Sequence, residues 1–231
     1  MKRFVLVMTL LGLILLVMGF HLLPGLVHEA GGLILLAGAG WHLTLNRRWF
    51  GSFFRGRWSG LRLMQTAIGL LLVMAFFTAV ITGCIISAWL FRDLWSGTAG
   101  AALHRSTFIY GLHTASAYLM AILGGMHLGM HWPGLWQRLR KFPGLGGFDK
   151  YPILRPFVLA LICWAGWTMW GLDRVGDRLL MKHIFGTMAA RLPAGMYYLM
   201  LLGLMGSFGI VFYYLQQYFI RQGRKNQEGV L

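Results

Sequence analysis

The chain reads as an all-α integral membrane protein of six transmembrane helices, and three observations predict this. Of its 231 residues, 58% are hydrophobic and only 12% charged, with a mean hydropathy of +0.64. The apolar residues fall in runs of about 20, the length a helix needs to cross the hydrocarbon core of a bilayer. The surplus of basic residues, which sets the formal net charge at +15, gathers between particular runs. In a soluble protein that charge would suggest nucleic acid; beside apolar spans it sets topology instead. The lipid bilayer is therefore the expected partner, and nucleic acid is not.

The first apolar stretch, residues 4–23, follows Lys2 and Arg3 as a signal peptide would. It has no small-residue cleavage site and passes through Pro24 and Gly25 directly into the next run, so it is read as the first span. The others cover residues 25–45, 62–90, 106–132, 153–172 and 194–220. Residues 1–135 form a four-helix core, and residues 136–231 add two further spans to the same membrane domain. Arg47, Arg48, Arg55, Arg57 and Arg62 lie between the second and third spans, and Arg138, Arg140, Lys141, Lys150 and Arg155 between the fourth and fifth. With Lys2 and Arg3 at one terminus and Arg221, Arg224 and Lys225 at the other, the positive-inside rule puts both termini in the cytoplasm. The opposite side carries Arg92, Asp93 and Arg105, and a segment from Asp173 to Arg191 that includes Arg174, Arg178 and Lys182. That segment is expected as a short amphipathic helix on the outer surface. Trp164, Trp167 and Trp170 approach the outer end of the fifth span, where indoles sit at the lipid interface.

Histidines carry the chemistry. His28 and His42 in the second span, and His113 and His127 in the fourth, are each separated by 14 residues. At about 100° and 1.5 Å per residue, that interval returns to nearly the same helix face about 21 Å further along. No single metal ion could be reached by both members of one pair. The second and fourth spans cross in the same direction, so His28 matches His113 in depth near the outer side and His42 matches His127 near the cytoplasmic side. Two bis-histidine haems are expected, an outer one on His28 and His113 and an inner one on His42 and His127. Neutral imidazoles in apolar walls suit iron that exchanges one electron while staying six-coordinate. Histidines hydrogen-bonded between helices are the plainer reading; four ionisable residues at matched depths in hydrocarbon favour ligation. With only Cys84 and Cys163 and no Cys-x-x-Cys-His motif, the haems would be of the b type, and an iron–sulfur cluster would have to come from another subunit.

The third span repeats the interval with Gly69 and Gly83, which would leave room for porphyrin edges at the inner and outer depths. Gly32, Gly38, Ala117, Gly124 and Gly125 stand near the ligands, where they serve either haem clearance or close helix approach. Arg47 and Arg48, just beyond His42, are candidates for the inner haem's propionates, and Arg105 for the outer haem's. Glu29 either carries protons for an outer quinone site or pairs with Arg105 or Arg92. His131, one turn beyond His127, is a rival ligand but would break the match with the second span; it would otherwise bind a propionate or a quinone or face the interface beside Trp132, and the last is the reading taken. His21, His104 and His183 are read as surface or interfacial, with His183 the one to test for quinone contact.

These histidine intervals and the Gly69/Gly83 interval resemble the four-helix core of the di-haem transmembrane cytochrome b superfamily. The strings HEAGGLILLAGAGWHLTLNRRWF and HLGMHW are most similar to a bacterial membrane family of uncharacterised function within it. The resemblance covers the first four spans. The chain lacks the eight-helix length of a full bc-complex cytochrome b and has no Pro-Glu-Trp-Tyr-like quinol motif. It implies a multi-pass protein of the bacterial inner membrane that carries electrons between a quinone pool and a redox subunit, either an iron–sulfur or a multihaem protein. Two other readings stand beside it. One is a self-contained quinone-linked oxidase or reductase of superoxide or ferric iron, with Arg174, Arg178 and Lys182 drawing in anions. The other is a haem-free anchor or transporter whose histidines bridge helices.

Overall fold

A computed structural model describes residues 2–53, 58–95, 97–143 and 151–228. Arg55, Arg57 and Lys150, and the side chains of Lys2, Arg224 and Lys225, lie outside the described residues. Among the described residues all regular structure is helical: α1 (Lys2–Met18), α2 (Gly25–Leu45), α3 (Arg48–Ser52), α4 (Gly60–Ile85), α5 (Thr98–His104), α6 (Thr107–Leu139), α7 (Leu154–Leu172), α8 (Val175–Leu179) and α9 (Ala194–Glu228), with short 3₁₀ turns between them. A helix lies on each of the six apolar stretches.

Three of these helices, α4, α6 and α9, are long and apolar enough to cross a membrane. α1 is apolar but shorter. α2 has 21 residues, but His28, Glu29 and His42 lower its apolarity, and α7 carries Arg155 and Pro156 in its first turn. The outer faces fit a lipid solvent. Leu63, Met74, Ile81, Phe157, Trp167 and Leu199 are all exposed on the helix surfaces, far more apolar side chains than water would tolerate.

Side-chain chemistry sets the helix starts and the packing. Ser59 and Ser106 precede α4 and α6, and each hydroxyl accepts from a backbone N–H in the first turn, Arg62 N and Ile109 N respectively. α6 is the axis of the molecule: α4 packs along one side, α9 along the other, and α7 covers α9. The α6–α9 crossing is backbone against backbone. A Cβ at Gly125 would collide with the carbonyl oxygen of Met205, and one at Gly129 with that of Gly209. Small residues let membrane helices gain dispersion contacts over their whole length. Ala165 and Gly166 on α7 meet Gly203 on α9 in the same way. Gly125 therefore serves helix approach, the second of the two roles its sequence position allowed.

Two apolar cores result. One gathers Met18, Tyr118, Ile122, Met169, Tyr197 and Leu201 between α1, α6, α7 and α9; the other gathers Leu35, Ile68, Phe76, Met120, Leu123 and Met130 between α2, α4 and α6. α2 packs extensively only on α1 and barely touches α4.

Candidate functional site

The space left between α2, α4 and α6 is a cavity of about 430 Å³. Its walls include His28, Gly83, His113 and Ala117, with Tyr118 and Arg178 on another side. His28 and His113 face each other across α2 and α6, with ring centres 6.2 Å apart and ring planes 79° apart. Two imidazoles that ligate one metal from opposite sides, each at a metal–nitrogen distance of about 2 Å, need ring centres about 6 Å apart. The spacing fits an axial pair.

Both rings are oriented by the backbone. His28 Nδ1 donates to the carbonyl oxygen of Val17 at 3.0 Å, and His113 Nδ1 to that of Ala79 at 2.9 Å, with Thr82 Oγ1 also 3.3 Å from it. A carbonyl only accepts, so the proton sits on Nδ1 and the lone pair on Nε2, as ligation through Nε2 requires. Among the described residues no three His, Cys, Asp or Glu side chains converge. A tetrapyrrole supplies four donors itself and needs only two. Gly83 leaves room for the His113 ring: a Cβ there would stand 3.1 Å from His113 Cε1.

The other end of the bundle is built differently. His42 is within electrostatic reach of His131, and His127 of both His131 and His42. The rings of His127 and His131 lie 4.7 Å apart. His127 Nδ1 is buried without a hydrogen-bond partner. The room at Gly69 is taken by an indole: a Cβ would stand 2.6 Å from Trp49 Cζ2, whose ring also meets those of Phe50 and Phe53 edge-on. Arg47 and Arg48, just past α2 at this end, are exposed, as is Arg105 at the opposite end.

Glu29 pairs with neither Arg92 nor Arg105. Its carboxylate accepts from the backbone N–H groups of Ala88, Trp89 and Leu90 at 2.8–3.2 Å and from Ser87 Oγ at 2.8 Å, tying α2 to the turn after α4. With four donors on its two oxygens, it is a structural clamp. His104 Nε2 donates to the carbonyl of Ser87 at 3.1 Å and braces the same turn.

The Asp173–Arg191 segment departs most from expectation. The chain leaves α7 through Arg174 in the left-handed region, φ 51°, which folds α8 back beneath the bundle. Arg178 is only 3% exposed and Asp173 is equally buried. Arg178 Nη2 lies 3.3 Å from Asp173 Oδ1 and donates to the carbonyl of Phe185, while its Nε donates to the carbonyl of Asp173. Tyr118 donates to Asp173 Oδ2, Thr187 donates to Oδ1, and the Arg178 guanidinium lies over the Tyr118 ring. Arg174 pairs with Asp177 at 2.7 Å. Two of the three cations proposed to attract anions are thus neutralised, one of them inside the protein. Arg178 has its ion-pair partner, Asp173, only five residues away; the enclosure of the pair comes from Tyr118, on a helix far away in sequence.

His21 packs edge-on against Tyr197 with ring centres 4.5 Å apart, and His183 lies beside Phe185. Each has a buried Nε2 without a hydrogen-bond partner. Cys84 and Cys163 are both free thiols. Comparison with protein-family models, with curated proteins and with solved structures finds no match.

Proposed function

We propose that this chain is a six-span, di-haem b-type cytochrome of a bacterial inner membrane, carrying electrons across the bilayer between a redox-protein subunit and a quinone pool. One observation supports the reading: the His28 and His113 rings stand 6.2 Å apart with their planes at 79° in the wall of a cavity, each with Nδ1 bonded to a carbonyl, which leaves Nε2 as the nitrogen that could ligate. A bound haem would supply an iron centre that exchanges one electron at a time. The protein's part is to hold it. His28 and His113 would hold it through Nε2, the Val17 and Ala79 carbonyls fix their tautomer, and Leu35, Phe76 and Met120 line the cavity with apolar groups. Held by two histidines, such a group would supply one-electron transfer. His42 with His127 is the second pair. The exposed Arg47 and Arg48 stand at its end of the bundle, which the positive-inside rule assigns to the cytoplasm.

The test is purification of the full chain in detergent from cells supplied with iron and a haem precursor. Two low-spin b-type haems per chain, seen as a Soret band and by extraction, are expected, and His28→Ala and His113→Ala should each remove the same one. A preparation with no Soret band and no extractable haem overturns the reading.

A further inference from the structure

A cavity larger than the one at His28 and His113 lies on the other side of α6. α6 and α7 pack on two sides of α9 and scarcely meet each other, so the space between them stays open as a groove of about 920 Å³ with α9 as its floor. Along α6 its lining runs from Gly125, in the close crossing with α9, to Arg140 at the helix end, a rise of about 22 Å at about 1.5 Å per residue. Half a bilayer, from the midplane to the outer limit of the headgroups, is about 20–22 Å thick. The groove has the depth of one leaflet.

Its chemistry changes along that depth as a leaflet's does. The deep part is walled by Leu128, Ile162, Leu202 and Met205. Nearer the helix end stand Tyr213 and the stacked indoles of Trp132 and Trp136, ring centres 6.0 Å apart, at the level where amphipathic rings meet headgroups. At the mouth α6 brings Arg140 and α7 brings Arg155, and among the described residues no Asp or Glu lines the groove. A guanidinium presents a fork of N–H donors that matches phosphate oxygens, and basic pockets between membrane helices on the cytoplasmic side receive anionic headgroups. The positive-inside rule assigns this end of the bundle to that side.

We propose that this groove is a binding site for one anionic phospholipid, its phosphate between Arg140 and Arg155 and an acyl chain lying along α9 to the level of Gly125. A zwitterionic lipid brings a cation of its own toward the same two arginines and fits less well. A quinone offers a long apolar tail but no negative charge for them to pair with. The site needs no haem and is independent of the reading above.

The experiment uses the full chain, stripped of lipid in detergent and titrated in mixed micelles with phosphatidylglycerol or phosphatidylcholine carrying the same acyl chains. Lipid per chain is read by native mass spectrometry, and the unfolding midpoint in parallel. Phosphatidylglycerol should bind at one per chain and raise the midpoint, since a ligand that binds only the folded state stabilises it by mass action. Phosphatidylcholine should bind more weakly by about 10-fold or more, and Arg140→Gln and Arg155→Gln should each weaken phosphatidylglycerol about 5-fold. Arg138→Gln, a cation near the same helix end but outside the groove, should change nothing. Leu202→Trp, which fills the deep part, should abolish binding. The lipid-free midpoint identifies any variant that has lost its fold; Arg140 and Leu202 are exposed, so those two variants decide the outcome if Arg155→Gln does not fold. Equal affinity for the two lipids, or equal weakening by Arg138→Gln and Arg140→Gln, overturns the proposal, because charge would then act diffusely. Ubiquinone that displaces phosphatidylglycerol from the wild type, and is itself excluded by Leu202→Trp, overturns it too and assigns the groove to the quinone. No haem enters these readings, so failure here leaves the cytochrome reading standing.

Discussion

Asp173 and Arg178 show how much can depend on one buried pair. Both side chains are almost fully enclosed, and every hydrogen bond of the Asp173 carboxylate runs to Tyr118, Thr187 or Arg178. Removing one partner of a buried pair leaves an uncompensated charge and costs about 3–5 kcal/mol, whereas replacing both by apolar residues is often neutral. Thermal unfolding in detergent should therefore show Asp173→Ala strongly destabilised and Asp173→Leu/Arg178→Met much closer to wild type. Equal losses in the two would show that the pair is not the source of the stability. At this scale the sequence was legible where residue type alone decides: histidines and a glutamate in apolar runs announce a site because charge and polarity are expensive there. It was silent where a distant partner decides. Arg178 reads as a surface cation until the turn after α7 folds it onto Asp173 and over the Tyr118 ring, and Glu29 reads as a partner for arginine until the N–H groups of Ala88, Trp89 and Leu90 are seen to converge on it.

The helices themselves were largely written in the chain. α2 begins and ends where the apolar run does, because Pro24 starts it and Asn46 stops it. What could not be read is which face meets which neighbour. Gly124 and Gly125 precede a histidine and so suited a cofactor as well as a helix; only the position of α9, more than seventy residues later, sets Gly125 and Gly129 against backbone. Gly69 held a similar ambiguity, and the indole of Trp49 fills it, from a short helix that hydropathy does not reveal. The α6–α9 crossing gives the prediction at this scale. Gly129→Leu must push α9 away from α6 and should cost about 1–3 kcal/mol or more, read as a lower unfolding midpoint. Gly12→Leu, where a Cβ meets nothing within 4 Å, should leave that midpoint unchanged. A Gly129→Leu protein as stable as wild type would remove close approach as the reason for this glycine.

For the whole molecule, the apolar surface is the governing fact. Phe157, Leu161, Trp164 and Trp167 line an exposed side of α7, and Leu63, Met74 and Ile81 one of α4. Such a protein should stay with the membrane fraction through an alkaline carbonate wash and dissolve only in detergent. With reporter fusions, residues near Arg48 and Arg140 should report one side of the membrane and residues near Arg92 and Lys182 the other. Release by carbonate, or all four on one side, would break the six-span topology. The order of the helices was legible because each apolar run is long enough to form one, and three of them, α4, α6 and α9, are long and apolar enough to cross a bilayer. The division of labour among them was not, since α6 serves the cavity with one face and α9 with the other.

One weakness of packing has a consequence for assembly. α2 leans on α1, is pinned near one end by the Glu29 clamp, and scarcely meets α4. The α1–α2 hairpin is thus joined to the rest more sparsely than α4, α6, α7 and α9 are to one another, mainly through Met18 and Leu35 in the two cores. A molecule that bridged His28 to His113 would act as the missing cross-brace, and by mass action its concentration would set how firmly the hairpin is seated. The last step of maturation for this protein would then be the arrival of its occupant, with the chain already threaded.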